Sequence, residues 1–389
     1  MNDLKNTTHK TAKAVKKFNR RTLLASGAAL AAFTPVAPMF VRNAFAATSG
    51  EVNVLMWGEY LPDSVVADFK AKTGIVINHT KIGDNGEIIS KMKAGGGAGY
   101  DLASPTNMRA AQWENLGVLQ PFDMNKVTNI GNVIPGMLSI GERDWNFGNK
   151  GSHWLPQLWG TESISWRTDK WTPDGLPSFG DIWEPNPGIN GAFMMGRTYS
   201  MMTGCGIWMH HEGKMDFWSS YKDEETMRKN WEIITAYCIS KKSNLVKFWS
   251  GADPQKQGFT SDGVVVGQTW DGPIVSMMKS GEPVAYQTTK EGALAWVDGI
   301  TMSAKAENRD EAYELINYSL TPEVGGQTIN EIGYNSAVIG ASENYTPETI
   351  AISQAVYPGD TVSNLNPWPA EPQWFADARA EYANKFETA

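Results

Sequence analysis

A two-lobed α/β architecture is expected for this chain, and three features of its sequence predict it. Strand-like and helix-like segments alternate strictly from residue 51 to residue 117, and a second alternating series begins near residue 191. Extended runs around residues 153–170 and 293–303 lie between the two series and can carry the chain from one to the other. Strict alternation calls for a mostly parallel sheet with both faces covered by helices. The 343 residues that follow position 46 in this 389-residue chain exceed a single typical core, so two domains are the default.

The elements follow in order. "VLMW" is a strand that runs into the helix "PDSVVADFKAKTG", with Pro62 at its start, Val65, Val66 and Phe69 on its apolar face and Gly74 as its stop. "IVINHT" is a strand, "GEIISKMKAG" a helix, "YDLASP" a strand and "NMRAAQWENLG" a helix. "SHWLPQLWGTESISWRTD" then offers two extended runs about Gly160. In the second series "GAFMMG" is a strand, and "RTYSMMTGCGIWMHH" and "ETMRKNWEIITAYCISK" are helices. "GVVVGQTWDG", "PIVSMMKSG" and "EPVAYQ" read as strand, helix and strand, and "ALAWVDGITMS" as a strand returning to the first series. Helices at "NRDEAYELINYSLT", "PEVGGQTINEIG" and "EPQWFADARAEYANKFETA" complete the chain. Two such lobes joined by extended crossings make a hinged clamp, a form that closes on small solutes.

Residues 1–46 are expected to be a twin-arginine export signal rather than part of the fold. A basic, polar lead ends in "FNRRTLLASGAALAAF", with Arg20 and Arg21 ahead of a modest apolar run and an A-x-A-like cleavage site at Ala44 and Ala46. Gly27, Pro35 and Pro38 break that run, which is too short to span a membrane. A soluble protein exported to a bacterial periplasm is therefore expected. The leader carries eight of the 34 Lys and Arg residues and one of the 42 Asp and Glu residues. The remainder therefore holds 26 basic and 41 acidic groups, a net charge of −15. Such a surface argues against nucleic acid and anionic membranes as partners.

Cys205 and Cys238 both fall in helical patterns, and either a disulfide or two buried thiols fits an oxidising compartment. No C-x-x-C or H-E-x-x-H motif is present. Five scattered histidines, with His210 and His211 adjacent and so on different helix faces, do not suggest a metal site. No cofactor motif is visible. "AGGGAG" follows a helix and reads as a helix stop rather than a phosphate loop. No nucleophile–base arrangement suggests an enzyme. An iron site on Tyr60 and Tyr334 lacks the further hard ligands it would need.

The turn "WGEYLP" raises the main functional question. Trp57, Glu59 and Tyr60 are large groups at the carboxyl end of a strand, where α/β proteins bind ligands, although Trp57 and Tyr60 could equally close a core. The chain resembles the spermidine/putrescine-binding type of periplasmic solute-binding proteins of ABC importers. The resemblance rests on "WGEYLP", "AGYDLASPTN", "LPQLWGTESISWRTD", "TWDGP", "KEGALAWVDGITMSAKAENRDEAYELINYSL" and "EIGYNSAV", in order across essentially the whole chain after the leader.

It implies a type II periplasmic-binding-protein fold with the ligand in the cleft between lobes. Lobe one would comprise 47–163 plus 297–342, and lobe two 164–296 plus 343–389. It also implies an inner-membrane ABC permease as partner, a monomer in solution, no enzymatic activity and no cofactor. By the same resemblance Trp57, Tyr60, Trp270, Trp296 and Tyr334 would form an aromatic box, with Trp368 in a late contact segment followed by Pro369 in place of a polar residue. Asp298 would bind an amine, Glu59 would be a polar turn position, and Thr106 would stand for a serine. An ammonium over an aromatic face gains about 0.5–2 kcal/mol, whereas burying it without a counter-charge costs several.

The departures bear on the ligand. Where the family carries two acidic residues three apart, this chain has Arg197 and Ser200, and Met108 replaces a tyrosine. An Arg at a helix N-terminus would repel a second ammonium and favour an anion. A plainer reading has Arg197 facing solvent or paired with Asp271. Two ligand classes stay open. One is an amine of the polyamine class held by Asp298, with Glu59 and Asp271 as further carboxylates. The other is a zwitterion (a betaine, amino acid or amino-sulfonate) with its acid group on Arg197.

Overall fold

The computed structural model describes residues 50–184, 189 and 191–389. The leader expected at 1–46, with Arg20 and Arg21, lies outside the described residues.

β1 (Glu51–Trp57) is buried at Val52 and then continuously from Val54 to Trp57, a nearly unbroken apolar run suited to a strand covered on both faces. α1 (Asp63–Thr73) buries Val65 and Phe69 and ends at Gly74, whose φ of 80° lets its N–H donate to Lys70 O at 2.8 Å. β2 (Val76–Ile82) is followed by α2 (Asn85–Gly95), capped where the Asp84 carboxylate accepts from Glu87 N. β3 (Leu102–Ala103), α3 (Ala110–Leu116), β4 (Leu119–Gln120) and α4 (Pro135–Asp144) come next. α4 was not expected, but it carries a Pro in its first turn, a common helix start.

β5 (Leu155–Arg167) joins the two expected runs about Gly160 into one buried strand of 13 residues. The second series contains β6 (Met194–Gly196), α5 (Thr198–His211), α6 (Glu224–Ser240), β7 (Leu245–Phe248) and α7 (Ala252–Thr260). β8 (Val266–Trp270), α8 (Asp271–Lys279), β9 (Val284–Gln287) and β10 (Leu294–Ser303) follow. α9 (Arg309–Ser319), α10 (Pro322–Ile332), β11 (Asn335–Ser336), α11 (Pro347–Val356), β12 (Asn366–Pro367) and α12 (Gln373–Thr388) end the chain.

The strands run β2-β1-β3-β10-β5-β8-β6-β7, with β4 and β12 also on β10, and β9 and β11 also on β5. β1 is parallel to β2 and β3, and β6 is parallel to β7 and β8. The expected parallel arrangement therefore describes the two outer groups of strands. It gives way at the centre, where β5 and β10 are antiparallel to each other and to β8 and β3 respectively. β5 and β10 carry the chain across and back. β10 pairs with β12 at Leu294 and Ala295 and with β3 and β4 at Thr301 to Ser303. Its register against β5 shifts at Asp298/Gly299, a bulge that re-aims the side chain there.

Close packing along this seam depends on Gly160. A Cβ at that position would run into Trp296 Cζ2 on the paired strand and reach 2.8 Å from Asp271 Oδ1 on the other side. Cys205 on α5 and Cys238 on α6 are free and buried, and burial pushes the Cys238 thiol up.

The chain end is tied back by a buried ion triad. Arg109, just ahead of α3, and Arg379 on α12 lie 3.1 and 3.2 Å from the same oxygen of Glu371, and Glu371 N donates to Met108 O. Removing the shared carboxylate would leave two buried guanidinium groups uncompensated. Glu371→Gln should therefore lower unfolding free energy by about 3–5 kcal/mol in urea, and an unchanged midpoint would show the triad to be dispensable. Gly160→Ala should cost about 1–3 kcal/mol through overpacking, read as a lower thermal midpoint.

Candidate functional site

The two groups of strands face each other across a cleft holding about 450 Å³ of empty space, part of it open to solvent. β1 ends in Trp57, and the turn after it is closed by Tyr60 N donating to Trp57 O at 3.2 Å, which brings both rings to the cleft. Trp270 ends β8 and meets Trp57 edge-on with centroids 6.0 Å apart. Tyr60 stands 5.7 Å from Tyr334, and Tyr334 5.3 Å from Trp296. The rings of Trp270, Trp57, Tyr60, Tyr334 and Trp296 thus form one continuous wall, each meeting the next within 6.3 Å. Room for Tyr334 exists because α8 presents Gly272, where a Cβ would collide with that ring. Across the cleft, Trp368 packs edge-on against Tyr199.

Asp298 is the buried acid of this cleft. The bulge in β10 sets it opposite Thr106, where Gly299 N donates to Pro105 O and Val297 N to Asn107 Oδ1. Tyr60 donates its O–H to Asp298 Oδ2, while Oδ1 is buried with no hydrogen-bond partner among the described residues. Burial pushes the carboxyl up to about 7, against the opposing pull of Thr106, Tyr60 and the Arg197 charge. Thr106 is itself fixed by Asn85, whose amide donates to the Thr106 hydroxyl oxygen at 2.8 Å and accepts from Thr106 N. Glu59 lies at the rim, its carboxyl raised chiefly by burial.

Arg197 caps α5 and lines the cleft. Its guanidinium carbon lies 5.5 Å from the Trp270 centroid and 4.9 Å from that of Tyr199, both within cation–π range. It neither faces away into solvent nor pairs with Asp271.

Asp271, expected from the sequence as a further cleft carboxylate, does not line the cleft. It sits behind Gly160 at the start of α8 and is saturated with donors. Its Oδ2 accepts from Tyr357 O–H at 2.6 Å, Thr161 N at 3.2 Å and Asn335 Nδ2 at 3.3 Å, and its Oδ1 from Gly272 N. Burial raises it to about 7 as well, yet its partners are all structural. Ser200, in the first turn of α5, is buried and likewise outside the cleft lining.

The remaining expected residues, Trp57, Glu59, Tyr60, Thr106, Arg197, Trp270, Trp296, Asp298, Tyr334 and Trp368, are all brought to the cleft. Sequence reasoning missed Asn85, Tyr199 and Glu162 as lining residues. Glu162 lies in the middle of β5, where Gln268 Nε2 donates to it at 2.7 Å; burial raises its carboxyl, opposed by Gln268 and the Arg197 charge. An acid in the middle of a buried strand whose other charged residue is the terminal Arg167 was the available signal. Among the described residues no group of three or more His, Cys, Asp or Glu side chains is placed to hold a metal ion. No described helix is long and apolar enough to cross a membrane.

Comparison with known proteins gives this geometry a family. The spermidine/putrescine-binding periplasmic protein of Escherichia coli (strain K12) is 26% identical over 355 residues, covering 90% of this chain and 93% of its own. A putative spermidine/putrescine ABC transporter structure from Listeria monocytogenes superposes with a TM-score of 0.73 at 19% identity, over 87% of this chain and 99% of that one. The spermidine/putrescine ABC transporter substrate-binding protein of Streptococcus pneumoniae gives 0.68 at 22% identity, over 87% and 98%. These neighbours are two-lobed periplasmic binding proteins, and the chain shares their fold. The profile of the bacterial extracellular solute-binding proteins matches residues 64–351, and the chain belongs to that family.

Proposed function

We propose that this protein is the periplasmic substrate-binding component of an ABC importer and that its cargo is a small amine of the polyamine class. The observation that carries this reading is Asp298: a buried carboxyl with one bare oxygen, set in a cleft walled by aromatic faces. An ammonium there gains a counter-charge and ring faces together, and relieves a carboxylate that is otherwise isolated. The similarity to spermidine/putrescine-binding relatives supports the same cargo class.

In this reading lobe one is 47–163 plus 297–342 and lobe two is 164–296 plus 343–389, and the lobes close on the ligand. Asp298 is the main counter-charge and Tyr60 orients it. Trp57, Trp270, Trp296, Tyr334 and Trp368 supply the walls, while Glu59, Thr106 and Arg197 supply polar contacts at the edges. Asp271 is withdrawn from the ligand set and serves the seam instead. The solute is held and released without turnover. The chain leaves the cytoplasm through the twin-arginine pathway and hands its ligand, as a monomer, to an inner-membrane permease.

A thermal-shift panel of amines, betaines, amino acids and amino-sulfonates tests the cargo class, because a true ligand raises the melting point by mass action. With the strongest amine found, Asp298→Asn should cost about 2–5 kcal/mol of binding by calorimetry; near wild-type affinity would exclude the role of Asp298. The pH dependence has a definite sign. The amine needs the ionised carboxylate, so below about pH 7 affinity should fall by up to about tenfold per pH unit. Conversely, a carboxyl raised in the folded state contributes stability below its ordinary value of 3.8 that is lost as pH rises through about 7. The empty wild-type protein should accordingly lose more stability than Asp298→Asn between pH 6 and 8, a loss that bound amine offsets.

A further inference from the structure

The cleft contains a cation of its own. Among its lining residues Arg197 is the one basic side chain, set among the acids Glu59, Glu162 and Asp298. Its guanidinium lies over the rings of Trp270 and Tyr199, where a ligand cation would be expected to lie. Glu162 and Asp298 occupy the same face of the β5–β10 seam. Glu162 is opposite Leu294 in the ladder, and Asp298 lies four residues beyond Leu294 on β10, with Trp296 between them. The Arg197 charge acts on both carboxyls and favours their ionised forms.

The half-buried Arg197 differs from the buried Arg109 and Arg379 in its partners. Arg109 and Arg379 share Glu371, whereas the Arg197 guanidinium makes no ion pair or hydrogen bond to any described residue. Its N–H donors therefore remain available to an acceptor in the cleft. The Arg379 guanidinium carbon lies 3.9 Å from the centroid of the same Tyr199 ring, so the end of the cleft nearest Tyr199 is backed by further positive charge. The end at Asp298, Tyr60 and Glu59 carries none within its walls. The cleft is polarised along its length, with an acidic aromatic end and a cationic end.

We propose that Arg197 is the specificity residue of this cleft, taking the place of a second ligand cation, so that the ligand is an amine with an acid group at its far end. Such a ligand has the aliphatic frame of a diamine with a carboxylate or sulfonate in place of its second ammonium. This rests on the reading above of Asp298 as the ammonium site, and departs from a polyamine at the ligand's far end only. Asp298 takes the ammonium, and the guanidinium fork of Arg197 takes the acid group through charge-assisted hydrogen bonds. Glu162, held by Gln268, steadies Arg197 through its charge and keeps the guanidinium inside the cleft. A diamine would instead set its second ammonium against a guanidinium in a site of reduced dielectric, where repulsion at contact distance is large.

The test is a calorimetric comparison of two matched series on the full mature chain: ω-amino acids from glycine to 6-aminohexanoate, and unbranched α,ω-diamines of the same lengths. Wild type should bind the best ω-amino acid at least about tenfold more tightly than the diamine of equal length. Arg197→Gln should reverse that order, weakening the amino acid and strengthening the diamine. Arg197→Lys, which keeps the charge but not the fork, should still exclude the diamine while losing part of the amino-acid affinity. A diamine bound most tightly by wild type, with no gain in Arg197→Gln, overturns the proposal and leaves the amine reading standing. Failure of both series, with neutral or anionic solutes binding and Asp298→Asn without effect, overturns the amine reading itself.

Discussion

Asp298 is a carboxylate placed where five aromatic rings keep water away, and the rest of the cleft answers that placement. An ionised acid without solvent or a counter-charge is costly, and the structure compensates it only in part. Tyr60 donates to one oxygen and Thr106 lies beside it, yet burial still holds the group near 7. Full compensation would have removed the reason to take up a cation, and no compensation would have left the group permanently neutral. The walls work twice, excluding water and offering their faces to the ligand.

That placement is a property of the seam between β5 and β10, the two strands that serve both groups of the sheet. The register shift at Asp298/Gly299 turns the acid into the cleft, and Gly160 lets Trp296 lie against the paired strand. Asp271 stands on the other side of Gly160 and is raised to the same degree, but its environment differs. Donors from the backbone, Tyr357 and Asn335 satisfy its oxygens. Two acids with matching elevation thus have opposite roles, and the number of unmet lone pairs distinguishes them. Elevation alone marks burial; a bare oxygen facing a cavity marks a binding group.

The chain end contributes at a distance from Asp298. Trp368 reaches the cleft on one side of β12, and Glu371, three residues on, closes the Arg109–Glu371–Arg379 triad. The same short segment therefore supplies a wall of the cleft and a tie from α12 to the residues around Met108. Arg379 also backs the Tyr199 ring on which Arg197 rests. Packing of the C-terminal helix is in this way coupled to the electrostatics of the cationic end.

Local pattern was enough for the alternating elements, for the α/β class and for the aromatic turn after the first strand, because each depends on spacing within a dozen residues. Local pattern set Trp57 and Tyr60 at the carboxyl end of a strand but left a core role equally open; the family resemblance, not spacing, assigned them with Trp270 and Trp296 to the aromatic box. The elements missed, such as α4, α7 and α11, are 10, 9 and 10 residues long, too short to hold without tertiary packing. The central antiparallel pair was hidden because strand direction is set by where the chain must return, and no local period records it. Glu162 and Asp271 show the limit most clearly. Both are acids next to strand residues, and sequence spacing placed the wrong one in the cleft. Which acid faces the cavity depends on which side of Gly160 it falls and on donors recruited from 64 to 110 residues away in the chain. Residue type and local period determined what this protein is built from; the long-range closure of the β5–β10 seam decided which of its charges remained unmet.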